Sequence, residues 1–362
     1  MTDDHRVDAI AHQFDIPGKF LSATQYGSGH INGTYCVIFD HAAGPTRYIV
    51  QRINQNVFKN APAIMENIQR VTAHLAASCA GRPDRDRRVL TLIPTRNGKV
   101  WHLDLNGDYW RAYRFIEGAN TYESVKSTDQ AFHVAKAYGE FQKMLIDLPG
   151  QRLHDAIPDF HNTPKRLTVF EQAVADDIAG RAILVKQEID FALSHKYIID
   201  ALLDADLPER IVHNDTKFNN VMVDDKTGEG ICVIDLDTVM PGLTIHDFGD
   251  MVRTATSPAQ EDEPDLSKVK MLFPMFEALV RGYLESTGSF LTNSEKEHLV
   301  FAGKLLTYEQ GIRFLTDYLS GDPYYKVHRV GHNLDRCRTQ FKLIESLEQQ
   351  EDRMHRLVRS LC

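Results

Sequence analysis

The chain is predicted to be an α+β protein, with its strands gathered near the start and its helices after them. Three observations carry this. Short Val-, Ile-, Tyr- and Phe-rich runs broken by glycine fill the first third, apolar residues recur at helical spacing from about residue 120, and strand character returns only near Ile211–Asp237.

A short helical start precedes strand candidates at Lys19–Gly27, Ile31–Asp40 and Thr46–Ile53. A helix is expected over Ala61–Ala77, where Ile64, Ile68, Val71 and Leu75 fall three or four residues apart. Two further strands are placed around Gly98, with Trp101 in one, and a third, with Trp110, over Asp108–Ile116; core packing is the expected role of both tryptophans. Phe115-Ile116-Glu117-Gly118 reads as a strand end running into a glycine turn. It divides the chain into residues 1–117 and 118–362, with a cleft expected between the halves. Gln151–Thr163 and Ser257–Pro264 read as loops, the second acidic and solvated.

Composition excludes several classes. The 362 residues carry a net charge of −9, which disfavours a nucleic-acid partner, because that role needs a positive stripe. No apolar run is long enough to span a membrane. The acidic Met-Thr-Asp-Asp start is unlike a secretory signal. Five scattered cysteines without a C-x-x-C fit reduced thiols, and a cytoplasmic protein is expected.

The chemistry is concentrated in Ile211-Val-His-Asn-Asp-Thr-Lys-Phe-Asn-Asn-Val-Met-Val223. His213-x-Asp215 with Asn220 five residues further on has the spacing of a kinase catalytic loop. Phosphoryl transfer explains the residue types: Asp215 would orient the acceptor hydroxyl and take its proton, and Asn220 would hold a metal ion on the ATP phosphates. Asp and Asn are also common turn formers, so the pattern gains its weight from context. A second strand, Ile231-Cys-Val-Ile234, ends at Asp235, which could meet Asn220 across one divalent cation. Asp237 is a second ligand or a neighbour of one. Asp247-Phe-Gly249 opens an amphipathic stretch without a strand before it, so Asp247 is expected to cap a helix and not to bind metal. His213 is expected to organise its own loop. Lys217 either stabilises the transferred phosphoryl group or faces water. His328 and His332 have the spacing of a metal pair, but Gly331 breaks the helix, so a surface pair is expected. Tyr26-Gly-Ser-Gly-His-Ile-Asn-Gly-Thr-Tyr35 is a glycine-rich turn that could approach phosphates, although it is not a Walker A loop.

Taken with Tyr48-Ile-Val-Gln51, Ile234-Asp-Leu-Asp237, Met240-Pro-Gly242, Arg313-Phe-Leu315 and Gly321-Asp-x-Tyr324, these motifs resemble the aminoglycoside phosphotransferase superfamily from end to end. That superfamily is the small-molecule branch of the protein-kinase-like bilobal fold. Gly29-His-Ile-Asn32 and the C-terminal stretch narrow the resemblance to its sugar 1-kinases. The resemblance implies a β-rich nucleotide-binding lobe and a mostly helical catalytic lobe. It also implies ATP as co-substrate, Mg2+ held by Asn220 and Asp235, and transfer to the anomeric hydroxyl of a hexose, an N-acetylhexosamine. Ser28 and Gly29 would lie over the phosphates, adenine would stack near Phe115–Glu117, and His30, Arg313 and Tyr324 would join Asp215 in binding the sugar.

One position departs from the kinase pattern. The third-strand lysine that contacts ATP phosphates is replaced by Gln51, and Arg52 points to the opposite sheet face. Either magnesium carries more of the phosphate charge or another cation reaches in. A Lys–Glu pair with the following helix cannot form, which leaves Glu66 exposed. The rivals are a kinase for choline, homoserine or an aminoglycoside, a kinase-fold pseudoenzyme, and a protein kinase. The last lacks an activation segment closed by Ala-Pro-Glu.

Overall fold

A computed structural model describes residues 3–27 and 31–362. Helix α1 (Asp3–Ala11) leads into strands β1 (Lys19–Gln25), β2 (Gly33–His41) and β3 (Gly44–Arg52). Helices α2 (Ala61–Ser78) and α3 (Arg85–Arg88) follow, then β4 (Leu92–Ile93), β5 (His102–Leu103), β6 (Tyr109–Arg114) and β7 (Ala119–Asn120). Trp101 lies just before β5 and stands edge-on to Tyr109. The six strands β1–β6 form one antiparallel sheet in the order β1-β2-β3-β6-β4, with β5 on β6.

Period-two alternation sorts this sheet into two faces. Tyr48, Val50, Trp110 and Ala112 pack with Val7, Ile10 and Phe14 of the N-terminal segment. Gln51 and Arg111 are therefore on the other face, directly opposite each other in the β3–β6 register. Arg52 goes the opposite way, 3.6 Å from Asp108. Helix α2 begins at Asn60, whose side chain accepts from Ala63 N at 3.2 Å, with Pro62 in the first turn. It buries Ile64, Met65, Ile68, Val71 and Leu75 in the main core. Glu66 is on its exposed side, 3.0 Å from His154.

Past Gly118 the chain is mainly helical: α4 (Thr128–Met144), α5 (Thr163–Asp176), α6 (Lys186–Ser194) and α7 (Tyr197–Leu203). Strands β8 (Arg210–Val212), β9 (Val221–Asp224), β10 (Gly230–Val233) and β11 (Met240–Gly242) interrupt it. Then come α8 (Thr244–Ala255), α9 (Phe273–Thr287), α10 (Asn293–Glu297), α11 (Leu299–Leu319), α12 (His332–Gln349) and α13 (Glu351–Leu361). β7 pairs with β9, and β9 with β10; β8 pairs with β11. Two loops, 213–220 and 234–239, are thereby set side by side. Helices α8 and α11 approach so closely that a Cβ on Gly249 would stand 2.2 Å from the Ala302 carbonyl oxygen. That contact fixes α8 behind the first loop.

Among the described residues no helix is long and apolar enough to cross a membrane. Cys36, Cys79, Cys232 and Cys337 are buried and unpaired, and Cys362 is exposed. His328 precedes α12 and His332 opens it after a left-handed Gly331, so the two are not one helical turn apart on a shared helix. His332 is buried, with Nε2 3.0 Å from Asp262.

Candidate active site

Loop 213–220 is held by hydrogen bonds to its backbone. Asp247 is the hub. Its carboxylate accepts from His213 N at 2.9 Å, Asn214 N at 2.7 Å and Gln142 Nε2 at 2.6 Å, and its carbonyl accepts from Thr216 Oγ1 at 2.6 Å. Asp247 thus lies inside the first turn of α8, after strand β11, and the expected helix cap is instead Leu243. Two loop amides take its buried carboxylate as acceptor, and as the fourth residue of α8 it stands too far along the helix to cap it. Asn214 has φ +67°, a conformation Asn tolerates, and its side chain donates to Thr238 O at 2.9 Å. His213 Nε2 lies 2.9 Å from Ile234 O, and Asp215 N donates to His213 Nδ1 at 3.3 Å. His213 therefore braces the loop, as expected of it. From behind, His161 bridges Asn214 O at 3.0 Å and Glu309 at 2.7 Å.

This bracing presents Asp215 to a cleft of about 920 Å³. Asn220 Nδ2 donates to Asp215 Oδ2 at 3.2 Å, and Lys217 Nζ lies 2.8 Å from Oδ1. Burial works against ionisation of Asp215, but the Lys217 ammonium outweighs it and holds the carboxyl below the usual range. Asp235 enters the same cleft at the end of β10, with φ +58°, a conformation that costs a non-glycine residue about 1 kcal/mol or more. Burial, then the charges of Asp237 and Asp215, push its carboxyl up to about 8. Ile234 N donates to Asn220 O at 2.9 Å, tying the two loops together.

A divalent ion fits here. Asn220 Oδ1 accepts no hydrogen bond among the described residues, and Asp235 stands in a surplus of negative charge that a cation would relieve. No three His, Cys, Asp or Glu side chains gather into a cage among the described residues. Magnesium on a nucleotide needs only one or two protein oxygens, because phosphates and water complete its shell. Both oxygens of Asp237 are already engaged. Arg111 Nη1 and Nη2 grip its two oxygens at 2.5 and 2.7 Å, and Asn32 Nδ2 donates at 2.8 Å.

Arg111 is 1% exposed and lines the cleft next to Gln51, to whose Oε1 its Nε donates at 3.0 Å. The neighbouring strand thus sets a buried cation beside position 51, with Asp237 as its counter-charge. Sequence reading missed it; the available signal was a charged residue between Trp110 and Ala112 in an otherwise apolar strand. Phe115 also lines the cleft, edge-on to Tyr26 at 5.5 Å, with Arg47 over its ring at 3.8 Å. Leu90, Ile116, Met222 and Ile234 pack together beside it as an apolar floor fit for a flat base.

The structure does not bring every candidate into this cleft. Glu117 turns out to pair with Arg47, and its carbonyl accepts from Arg87 Nε at 2.9 Å. Arg313 lies between the rings of Phe160 and Tyr325, donating to Gln310 at 3.2 Å, and does not line the cavity. Tyr324 is 64% exposed and stacks edge-on against Tyr325. Ser28, Gly29 and His30 lie outside the described residues.

The far wall was not anticipated. Segment 253–261 and helix α12 supply it, including Arg253, Glu261, Arg336 and Gln340. The acidic loop is tethered rather than merely solvated. Glu261 meets Arg253 at 2.9 Å and Arg336 at 3.8 Å, Asp262 meets Arg329 at 3.2 Å, and Glu263 meets Lys268 at 3.2 Å. Its three acidic residues find cations on α8, on α12 and in the segments flanking them, which a reading of local charge alone does not reveal.

A loop that aims a carboxylate at a cleft, with a second carboxylate entering the same cleft, is the arrangement of a kinase-like phosphotransferase of small molecules. Residues 22–280 match the phosphotransferase enzyme family, and the chain belongs to that family. Solved structures agree on the fold. A microcompartment-associated aminopropanol kinase superposes with a TM-score of 0.59 at 15% identity, over 97% of this chain and 98% of the other. Spectinomycin phosphotransferase, solved with ADP and spectinomycin, gives 0.57 at 12% over 96% and 98%. Choline kinase from Cryptosporidium parvum gives 0.56 at 14% over 98% of both chains.

Proposed function

We propose that the protein transfers the γ-phosphoryl group of ATP to the anomeric hydroxyl of a hexose, most specifically an N-acetylhexosamine, as N-acetylhexosamine 1-kinases do. Residues 1–117 would serve as the nucleotide lobe and 118–362 as the catalytic and acceptor lobe, acting in the cytoplasm. The bond between the β–γ bridging oxygen and γ-phosphorus breaks as one forms to the sugar oxygen, and ADP leaves. Asp215 orients the hydroxyl and receives its proton, and Lys217 and Arg111 place positive charge around the phosphates. Asn220 and Asp235 would hold Mg2+, which neutralises charge on the phosphate oxygens. Gln51 and Phe115 would contact the nucleotide, with Ser28, Gly29 and Glu117 as the family pattern implies.

The observation that carries the choice of acceptor is the charge of the cavity beyond Asp215. Lys217, Arg253 and Arg336 line it, and Glu261 is committed to the two arginines. Choline and aminoglycosides are cations and need an aromatic or carboxylate cage; a neutral, oxygen-rich sugar suits donors instead. His30, Arg313 and Tyr324 enter as the resemblance implies them, and the acceptor KM of Arg313→Ala and Tyr324→Ala checks that part. The main test is a panel of hexoses, N-acetylhexosamines, choline, homoserine and aminoglycosides, read by ADP release and by an assay for anomeric phosphate. ADP release with choline or an aminoglycoside but no hexose would overturn the sugar assignment.

A further inference from the structure

The peptide group joining Asn214 to Asp215 is gripped from both sides. Its N–H donates to His213 Nδ1 at 3.3 Å, and its carbonyl oxygen lies 3.0 Å from His161 Nε2. Asn214 holds the left-handed φ of +67°, so these contacts keep the peptide in its orientation, and with it the direction in which the Asp215 side chain leaves the backbone. His161, just ahead of α5, does not itself line the cleft. Its side chain is 7% exposed and that of its partner Glu309 1%.

Both ring nitrogens of His161 face oxygen acceptors. Nε2 meets the Asn214 carbonyl and Nδ1 meets Glu309 Oε1 at 2.7 Å, while Glu309 Oε2 accepts from Thr163 Oγ1 at 2.6 Å. A neutral imidazole carries one N–H and can serve only one of these acceptors; the imidazolium serves both. We propose that His161 is a positioning residue for phosphoryl transfer: as an imidazolium clamped by Glu309, it holds the 214–215 peptide and so aims the Asp215 carboxylate. When the proton leaves, the remaining N–H stays with the charged Glu309, the stronger acceptor, and a nitrogen lone pair faces the Asn214 oxygen. The loop then loses its brace while the cleft walls stay in place, so turnover falls and binding does not. The charged or titratable groups around this contact are Glu309 and Arg313 on α11, His246 and Asp247 on α8, Arg166 on α5, and His213 and Asp215 in the loop. Burial and the Arg313 guanidinium oppose the imidazolium, but Glu309 outweighs them, so the ring titrates on the alkaline side of its usual range. This inference rests on the reading of Asp215 as the proton acceptor of a phosphotransferase.

The test follows kcat, acceptor KM and ATP affinity from pH 6 to 10, with magnesium-ATP and the acceptor of the panel that releases most ADP. The His161 ring is read in 1H–15N spectra of the parental protein, assigned by its absence from His161→Gln. The ring should be doubly protonated at pH 7, and kcat should decline as it titrates, with KM and ATP affinity changing less than about threefold. His161→Gln should lower kcat at pH 7 by about 10- to 100-fold and lack this alkaline limb. Glu309→Gln should move titration and limb together to lower pH by about one unit or more. Melting temperatures check that both variants fold; should either fail, the parental titration set against the parental profile decides alone. A ring with one N–H at pH 7, a ring that titrates while kcat stays level, or parental kcat in His161→Gln would overturn this inference and leave the kinase reading intact. If no acceptor draws ADP release from the parental protein, both fall.

Discussion

Arg111 and Gln51 stand opposite each other across the β3–β6 register, and the guanidinium that donates to Gln51 Oε1 at 3.0 Å also grips Asp237. One buried cation therefore joins the sheet to the segment that carries Asp235. Arg111→Met leaves the Asp237 carboxylate buried without its counter-charge, with only Asn32 donating to it, and is expected to cost about 3–5 kcal/mol by urea denaturation. Adding Asp237→Leu should restore much of that stability without restoring turnover. Recovery of activity in the double variant would show that the cation has no part near the phosphates.

Asp215→Asn removes the proton acceptor and keeps the shape. Turnover is expected to fall by about 10²- to 10⁴-fold while ATP still binds, measured by coupled ADP release and by nucleotide titration. Near-parental turnover would remove Asp215 from its role.

Asp235→Asn is expected to weaken magnesium-dependent ATP binding and abolish turnover, while binding of ATP in EDTA changes little. Chelation of the parental protein should stop the reaction and added magnesium restore it. Equal binding losses with and without magnesium would argue against Asp235 as a ligand.

The packing of α8 on α11 gives a stability prediction. Gly249→Ala places a Cβ 2.2 Å from a backbone oxygen, so the helices must separate. A loss of about 1–3 kcal/mol is expected from thermal melts.

Acid sensitivity follows from the groups behind loop 213–220. Burial, then His161, hold His246 down to about 3, and neither of its ring nitrogens has a partner among the described residues. Between its usual 6.5 and that value the unfolded chain binds a proton that the folded one does not, so stability falls as pH drops, by about 1.4 kcal/mol per pH unit. Glu309, buried but held down to about 2 by His161, contributes stability that is present above its usual 4.5 and lost as pH falls toward 2. His161 acts oppositely: its burial is outweighed by Glu309, which raises it, so its share is present below 6.5 and lost on the alkaline side. Urea midpoints at pH 7, 5.5 and 4 should decline in the parental protein and less steeply in His246→Asn.

Much of this was legible in the chain. The strand and helix periodicities placed β1, β2, β3, β6 and α2 within a few residues, because half-buried elements repeat their apolar spacing locally. That Asp215, Asn220 and Asp235 would share one cleft was legible from their spacing and from the strand before Asp235. Arg111, Gln340 and Arg336 were not, since their meaning comes from strand register and from a helix more than a hundred residues from the loop. Asp247 was misjudged for the same reason: its partners His213 and Asn214 are distant in sequence, and only the folded chain shows that the carboxylate faces them.

The position of Asp247 ties reactivity to the integrity of the whole helical body. With α4, α8 and the loop meeting at one buried carboxylate, loosening the loop breaks contacts that the helical body shares. Heating should therefore silence the enzyme and melt it in a single event, with the temperature of half-inactivation coinciding with the calorimetric peak.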